Sequence, residues 1–147
     1  MPVIGWRISP ENELARCLEQ QKAGRWHYAG SLLLYVSSTP ELAVLEARAH
    51  HRRGDGGYWL QQISAAAALA LQRVEREALP EDWSRRPPLT RELGAQWLRE
   101  ARCSGLLVPS SLCPEASNLL INPALAPELE LLPLRPFRFD RRLVLAL

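Results

Sequence analysis

Apolar residues fall in short blocks along this chain, and their spacing switches between strand and helix periods. Val3 to Ile8 is one such block, closed by Ser9-Pro10, and it predicts a short strand. Leu14, Cys17 and Leu18 then recur at i, i+3, i+4 within Glu11 to Gln21, a helical spacing that Gly24 can stop. The stretch GRWHYAG, Gly24 to Gly30, reads as a loop, and Leu32 to Ser37 as a buried strand running into Ser38-Thr39-Pro40-Glu41. That tetrad starts a helix, either with Ser38 capping and Glu41 reaching back, or with Thr39 capping and Pro40 in the first turn. The helix Glu41 to His51 puts Leu42, Leu45 and Ala49 on one face with Glu46 and His50 one step around, and Arg52 to Gly57 ends it.

Tyr58 to Ile63 predicts the next strand. Ala65 to Glu77 is ambiguous: its composition favours helix, while Ala70 to Val74 also fits a strand. Pro80 to Pro88 is a Pro- and charge-rich surface loop, after which Thr90 is expected to cap an amphipathic helix facing inward through Leu93, Trp97 and Leu98. Gly105 to Val108 and Leu119 to Ile121 predict strands ending at Pro109-Ser110-Ser111 and Asn122-Pro123, and two more are expected over Leu129 to Leu134 and Pro136 to Leu145. The fold class is α+β, with helices between strands in the first half and strands concentrated in the second.

Composition narrows the picture. A chain of 147 residues, 47% hydrophobic and 23% charged, suits one domain with a core that needs no disulfide or metal staple. Cys17, Cys103 and Cys113 form no CxxC pair and no zinc-finger spacing, which fits packing thiols in a reducing compartment. Net charge is +2, and the Arg52-Arg53, Arg85-Arg86 and Arg141-Arg142 pairs are scattered among acidic residues, too weak a pattern for a nucleic-acid footprint. No signal-like start and no apolar run near membrane length is found, so the expected location is cytoplasmic, without membrane association.

Familiar site motifs are missing: no GxGxxG after a strand, no GxxxxGK[ST], no HExxH, no GxSxG. The neighbours His50 and His51 point about 100° apart on a helix and cannot share a metal without other ligands, so no metal is expected. What remains are polar residues at strand ends: Arg25, Tyr35, Glu46, Ser110, Ser111 and Asn122. From pattern alone each has a structural alternative. Tyr35 reads equally as core, Glu46 as an exposed helix carboxylate, Ser110 as a turn residue and Asn122 as a turn initiator.

GRW with a Gly shortly after it, LLYVSSTPELAVLEARAH, LLVPSSLCPEASNLLINP and PFRFDRRL, in that order, resemble the signature of the RES-domain family of bacterial toxin–antitoxin toxins. The family is named for Arg, Glu and Ser positions, matched here by Arg25, Glu46 and Ser110, and the resemblance covers nearly the whole chain as a single RES domain. It implies a fold similar to ADP-ribosyltransferase toxins, with two small, mainly antiparallel sheets forming an NAD cleft between flanking helices, and it favours strand for Ala70 to Val74. NAD is then a substrate rather than a cofactor. Within that resemblance Arg25, Tyr35, Glu46 and Ser110 are the expected catalytic residues, and Arg7, Arg25, Tyr35, Ser110 and Asn122 the expected NAD contacts. The implied reaction is cleavage of the nicotinamide–ribose bond, with phosphate or water as acceptor. Protein-directed ADP-ribosylation, or a degenerate antitoxin-binding module, are the alternatives. The implied partner is an Xre-type helix-turn-helix antitoxin that covers the active site and carries the complex to DNA. Leu125 stands where a His is common in the family, and the approach to Gly24 lacks a Gly-rich lead-in.

Overall fold

The computed structural model describes residues 2–10, 22–50 and 57–144. The elements are β1 (Val3–Pro10), β2 (Leu34–Ser37), α1 (Pro40–His50), β3 (Tyr58–Ala65), β4 (Leu71–Arg73), α2 (Pro87–Glu100), β5 (Gly105–Pro109), β6 (Ser117–Ile121), β7 (Leu129–Leu131), β8 (Arg135–Phe137) and α3 (Arg141–Val144). The helix expected over Glu11 to Gln21, with Cys17, and the stop at Arg52 to Gly56 lie outside the described residues. The α+β class stands.

The strands make one sheet in the order β4-β5-β6-β2-β1-β3-β7, with β8 also pairing β3. All pairs are antiparallel except β4 with β5. This corrects the expectation of two separate small sheets. β1 and β2 bridge the halves through a single residue pair, Trp6 with Ser37, whereas β1 follows β3 in register from Gly5 to Pro10. One pair suffices to make the sheet continuous, and it leaves the halves joined at a narrow seam.

Three apolar clusters follow from strand alternation. Leu34, Val36, Ile63, Leu119 and Ile121 fill one face of the sheet. On the other face, Leu106, Val108 and Leu120 pack with Trp26, Trp83 and Trp97 under α2, while Ile8 and Tyr58 pack with Ala43, Ala47 and Phe139 under α1.

One open choice is settled and three local expectations change. Thr39, not Ser38, caps α1: its Oγ1 accepts the Leu42 N–H at 3.1 Å, with Pro40 in the first turn. The inward face of α1 is Leu42, Ala43 and Ala47, and Leu45 is 47% exposed with Ala49 also exposed. Small alanines let the helix lie close on β1, which rotates the larger Leu45 outward. Thr90 does not cap α2; the helix begins at Pro87, and Thr90 sits inside it at 0% exposure. The chain after Phe137 turns into α3 rather than a long strand, because Asp140 accepts the Arg142 N–H at 2.9 Å and starts a helical turn. Leu71–Arg73 is a strand, as the family resemblance favoured against composition.

Candidate active site

The loop carrying Arg25 is fastened by α2. Arg91 Nε donates to the Gly24 carbonyl at 2.7 Å, and Thr90 Oγ1 donates to the Arg25 carbonyl. Gly94 completes the clamp. A Cβ there would lie 1.7 Å from the Trp26 carbonyl oxygen, so the loop can approach the helix only over a glycine. Trp26 is buried in the α2 cluster, anchoring the loop in the core. The Arg25 side chain donates from Nη1 to the Ser84 carbonyl and sits 6.0 Å from the Trp83 ring centroid. Those contacts hold the guanidinium from one side and leave further N–H groups for an anion.

Behind this loop lies His27, 2% exposed. Its Nδ1 is 2.6 Å from the Tyr35 hydroxyl and its Nε2 is 2.7 Å from the Lys22 carbonyl. Burial lowers the imidazole pKa; the Lys22 carbonyl bond opposes that, and the Arg91 charge adds to it. The Tyr35 hydroxyl also accepts the Trp26 N–H at 3.2 Å, and burial pushes its pKa well above the usual phenol value. Gly24 is required here by packing. A Cβ on it would come 2.6 Å from His27 Cε1 and 3.0 Å from the Tyr35 oxygen.

Glu46 projects from α1 toward the ends of β5 and β6. Its Oε1 accepts from Ser110 Oγ at 2.7 Å and from Asn118 Nδ2 at 2.7 Å. Ser110, 0% exposed, in turn accepts the N–H groups of Leu112 at 3.1 Å and Cys113 at 3.2 Å, so its hydroxyl is set by the turn after β5. Asn118 is set by Ser37, whose hydroxyl donates to Asn118 Oδ1 at 3.0 Å. Among the described residues no donor reaches Oε2. The carboxylate is thus held by one oxygen and keeps the other for a ligand.

Arg25, Trp26, Tyr35, Glu46, Pro109, Ser111 and Asn118 line one cavity of about 60 Å³. The structure therefore brings Arg25, Tyr35, Glu46 and Ser110 together. Arg7 and Asn122 are placed elsewhere. Trp6 pairs with Ser37, so alternation sets Trp6 on the cavity's face of the sheet and Arg7 on the opposite face, where its Nη2 reaches Ser9 Oγ at 3.4 Å. Asn122 directly follows β6, four residues beyond Asn118 and roughly 13 Å along the chain direction, and its Oδ1 accepts the Ala124 N–H in a local turn.

Asn118, His27, Thr90 and Arg91 were not legible as site residues. Only Asn118 had a usable signal, since SNLLI opens on polar residues in a strand whose partner, β5, ends at Pro109, next to Ser110. A larger cavity of about 230 Å³ lies between Trp6, Leu60, Gln62, Leu132, Pro133 and Arg135, with a lining that shares no residue with this cluster.

The α+β sheet thus gathers a clamped carboxylate, its two donors and an arginine at one cavity, in a chain without a P-loop or dinucleotide turn. The chain belongs to the RES domain family, whose model matches residues 5–142. It is 33% identical over 125 residues to a protein named Toxin Res from Pseudomonas putida, covering 82% of this chain and 85% of that one. It is 33% identical over 112 residues to Toxin Res of Yersinia enterocolitica, covering 68% of each. It is 32% identical over 131 residues to a Sphingobium protein named Prs ADP-ribosylating toxin, covering 81% of each.

Proposed function

We propose that this protein is a toxin with an ADP-ribosyltransferase-like fold, one RES domain over 1–147, that degrades NAD by breaking the nicotinamide–ribose bond. The observation that carries the reading is the Glu46 carboxylate, held at the cavity through one oxygen by Ser110 and Asn118. In the reaction the glycosidic C–N bond breaks with its electron pair going to nicotinamide, which leaves neutral, while positive charge builds on the ribose. Glu46 stabilises that charge and accepts a hydrogen bond from a ribose hydroxyl through Oε2. Phosphate or water then bonds to the ribose carbon and releases its proton to solvent.

Arg25 holds the pyrophosphate with the N–H groups that Ser84 leaves available. Ser110 is a donor to Glu46 rather than a nucleophile, because its proton and its acceptor capacity are already engaged. Sites for drug-sized ligands span about 300–1,000 Å³. The 60 Å³ cavity therefore takes one end of the dinucleotide, and the rest lies outside it or enters as the cavity opens. The partner on this reading is NAD together with an Xre-type antitoxin over the site, with DNA reached only through that antitoxin. Protein-directed ADP-ribosylation is the second reading, favoured by the name of the Sphingobium relative.

The test is incubation of the purified, partner-free protein with NAD in phosphate and in phosphate-free buffer, with Glu46→Gln alongside and products separated by chromatography. Nicotinamide with ADP-ribose phosphate in phosphate alone identifies a phosphorylase. Free ADP-ribose in both buffers identifies a glycohydrolase. Intact NAD from folded protein overturns NAD degradation and leaves the protein-directed reaction or the degenerate antitoxin-binding module.

A further inference from the structure

One buried titratable side chain is not used by the reaction as proposed above. His27 is 2% exposed and spans the gap between the Arg25 loop and β2. The Lys22 carbonyl 2.7 Å from Nε2 can only accept, so Nε2 carries the ring proton. A neutral imidazole then has an acceptor at Nδ1, and the group 2.6 Å from it is the Tyr35 hydroxyl. That hydroxyl also accepts from Trp26 N, which leaves one lone pair and no proton for the cavity.

We propose that His27 is a positioning residue that acts through Tyr35, drawing the phenol's proton away from the cavity so that Tyr35 offers substrate only its ring and one acceptor lone pair. The inference rests on the NAD-cleaving reading of the site. It makes Tyr35, which the family resemblance placed among the catalytic residues and NAD contacts, an oriented wall of the cavity. It also gives the Arg25 loop a tie to β2 besides its clamp on α2. Arg91 from α2, the Lys22 carbonyl from the loop and Tyr35 from β2 face the imidazole, while Arg25 acts on the Tyr35 hydroxyl. The Arg91 charge opposes a second proton on the ring. Once that proton binds, Nδ1 becomes a donor, Tyr35 must turn its own proton elsewhere, and the cavity is the open direction.

The test is a double-mutant cycle on NAD turnover with His27→Leu, His27→Asn and Tyr35→Phe, run well below the melting temperature of every variant. The asparagine of His27→Asn does not fill the whole ring's volume, but its Oδ1 stands where Nδ1 does and accepts from Tyr35. Expected are a loss of about tenfold in kcat/KM for His27→Leu, recovery of most of it in His27→Asn, and no further loss from His27→Leu in the Tyr35→Phe background. The acid limb of the wild-type pH profile should disappear in His27→Asn. Equal losses in both backgrounds, or an unchanged pH profile, overturn the proposal and leave His27 a packing residue. A ¹⁵N spectrum of the imidazole supplies an arm that needs no turnover. An Nδ1–H tautomer at pH 7.5 overturns the proposal whatever the activity, whereas an Nε2–H tautomer in a protein that leaves NAD intact overturns the NAD reading and the positioning role, but not the His27–Tyr35 bond.

Discussion

Because Ser110 and Asn118 both donate to Oε1 of Glu46, two substitutions at that position should part company. Glu46→Gln keeps a carbonyl oxygen for both donors and removes the charge, so NAD consumption should fall by about a hundredfold or more while the melting temperature stays within a few degrees. Glu46→Ala removes the acceptor as well. It leaves the buried Ser110 hydroxyl and the Asn118 amide without their partner, at about 1–3 kcal/mol for each group left unmet. Denaturant midpoints of the two variants check this, and equal destabilisation would mean that the bonds contribute little. His27 makes a separate prediction in pH. Its folded-state pKa lies below its ordinary value of 6.5, so below that pH the unfolded chain binds more protons than the native one. Stability is therefore lost as pH drops through the window beneath 6.5. The loss between pH 7.5 and 5.5 should be smaller in His27→Asn, as urea unfolding at both values would report.

At the scale of elements, α2 carries two residues whose backbone settings invert the usual helix rules. Gly94→Ala would normally favour a helix by about 1 kcal/mol. Here the new Cβ meets the Trp26 carbonyl, so the variant should lose about 3 kcal/mol and shift the Arg25 loop. Ala101, at the end of the helix, holds φ at +50°, so Ala101→Gly should stabilise by about 0.5–1 kcal/mol. Opposite signs in thermal melts are the expected result.

The same elements mark what could be read from sequence. Strands were legible because Val3 to Ile8, Tyr58 to Ile63 and Gly105 to Val108 carry dense apolar blocks with clear stops. The α1 face was misread because periodicity ranks residues by size, and the tight approach to β1 uses Ala43 and Ala47 while Leu45 faces outward. Thr90 looked like a cap, yet its hydroxyl serves the Arg25 carbonyl, a contact 65 residues away in sequence. Asn118 in β6 and Asn122 directly after it are both candidates by alternation, and only the pairing of β5 with β6 decides which of them meets Glu46. Arg25, Glu46 and Ser110 were legible through the family signature, and long-range pairing supplied what no local pattern holds.

Across the whole molecule, the seam between β1 and β2 is the structural fact with the widest reach. On one side β2, β6, β5 and β4 hold together, and on the other β1, β3, β7 and β8. Between them the register consists of Trp6 with Ser37 alone, and Ser37 also orients the asparagine that grips Glu46. An NAD-sized ligand exceeds a 60 Å³ cavity, so any part of it beyond the end already seated there enters only if a wall moves. The wall with fewest backbone bonds is the least costly to move. Hydrogen exchange followed by NMR should accordingly find the amides that β1 and β2 turn toward each other at least about tenfold less protected than those between β1 and β3 or β5 and β6. Adding NAD to Glu46→Gln should change exchange at this seam before it changes the flanking ladders. Uniform protection across all eight strands would show one rigid sheet, and the opening would then have to come from the Arg25 loop and its clamp on α2.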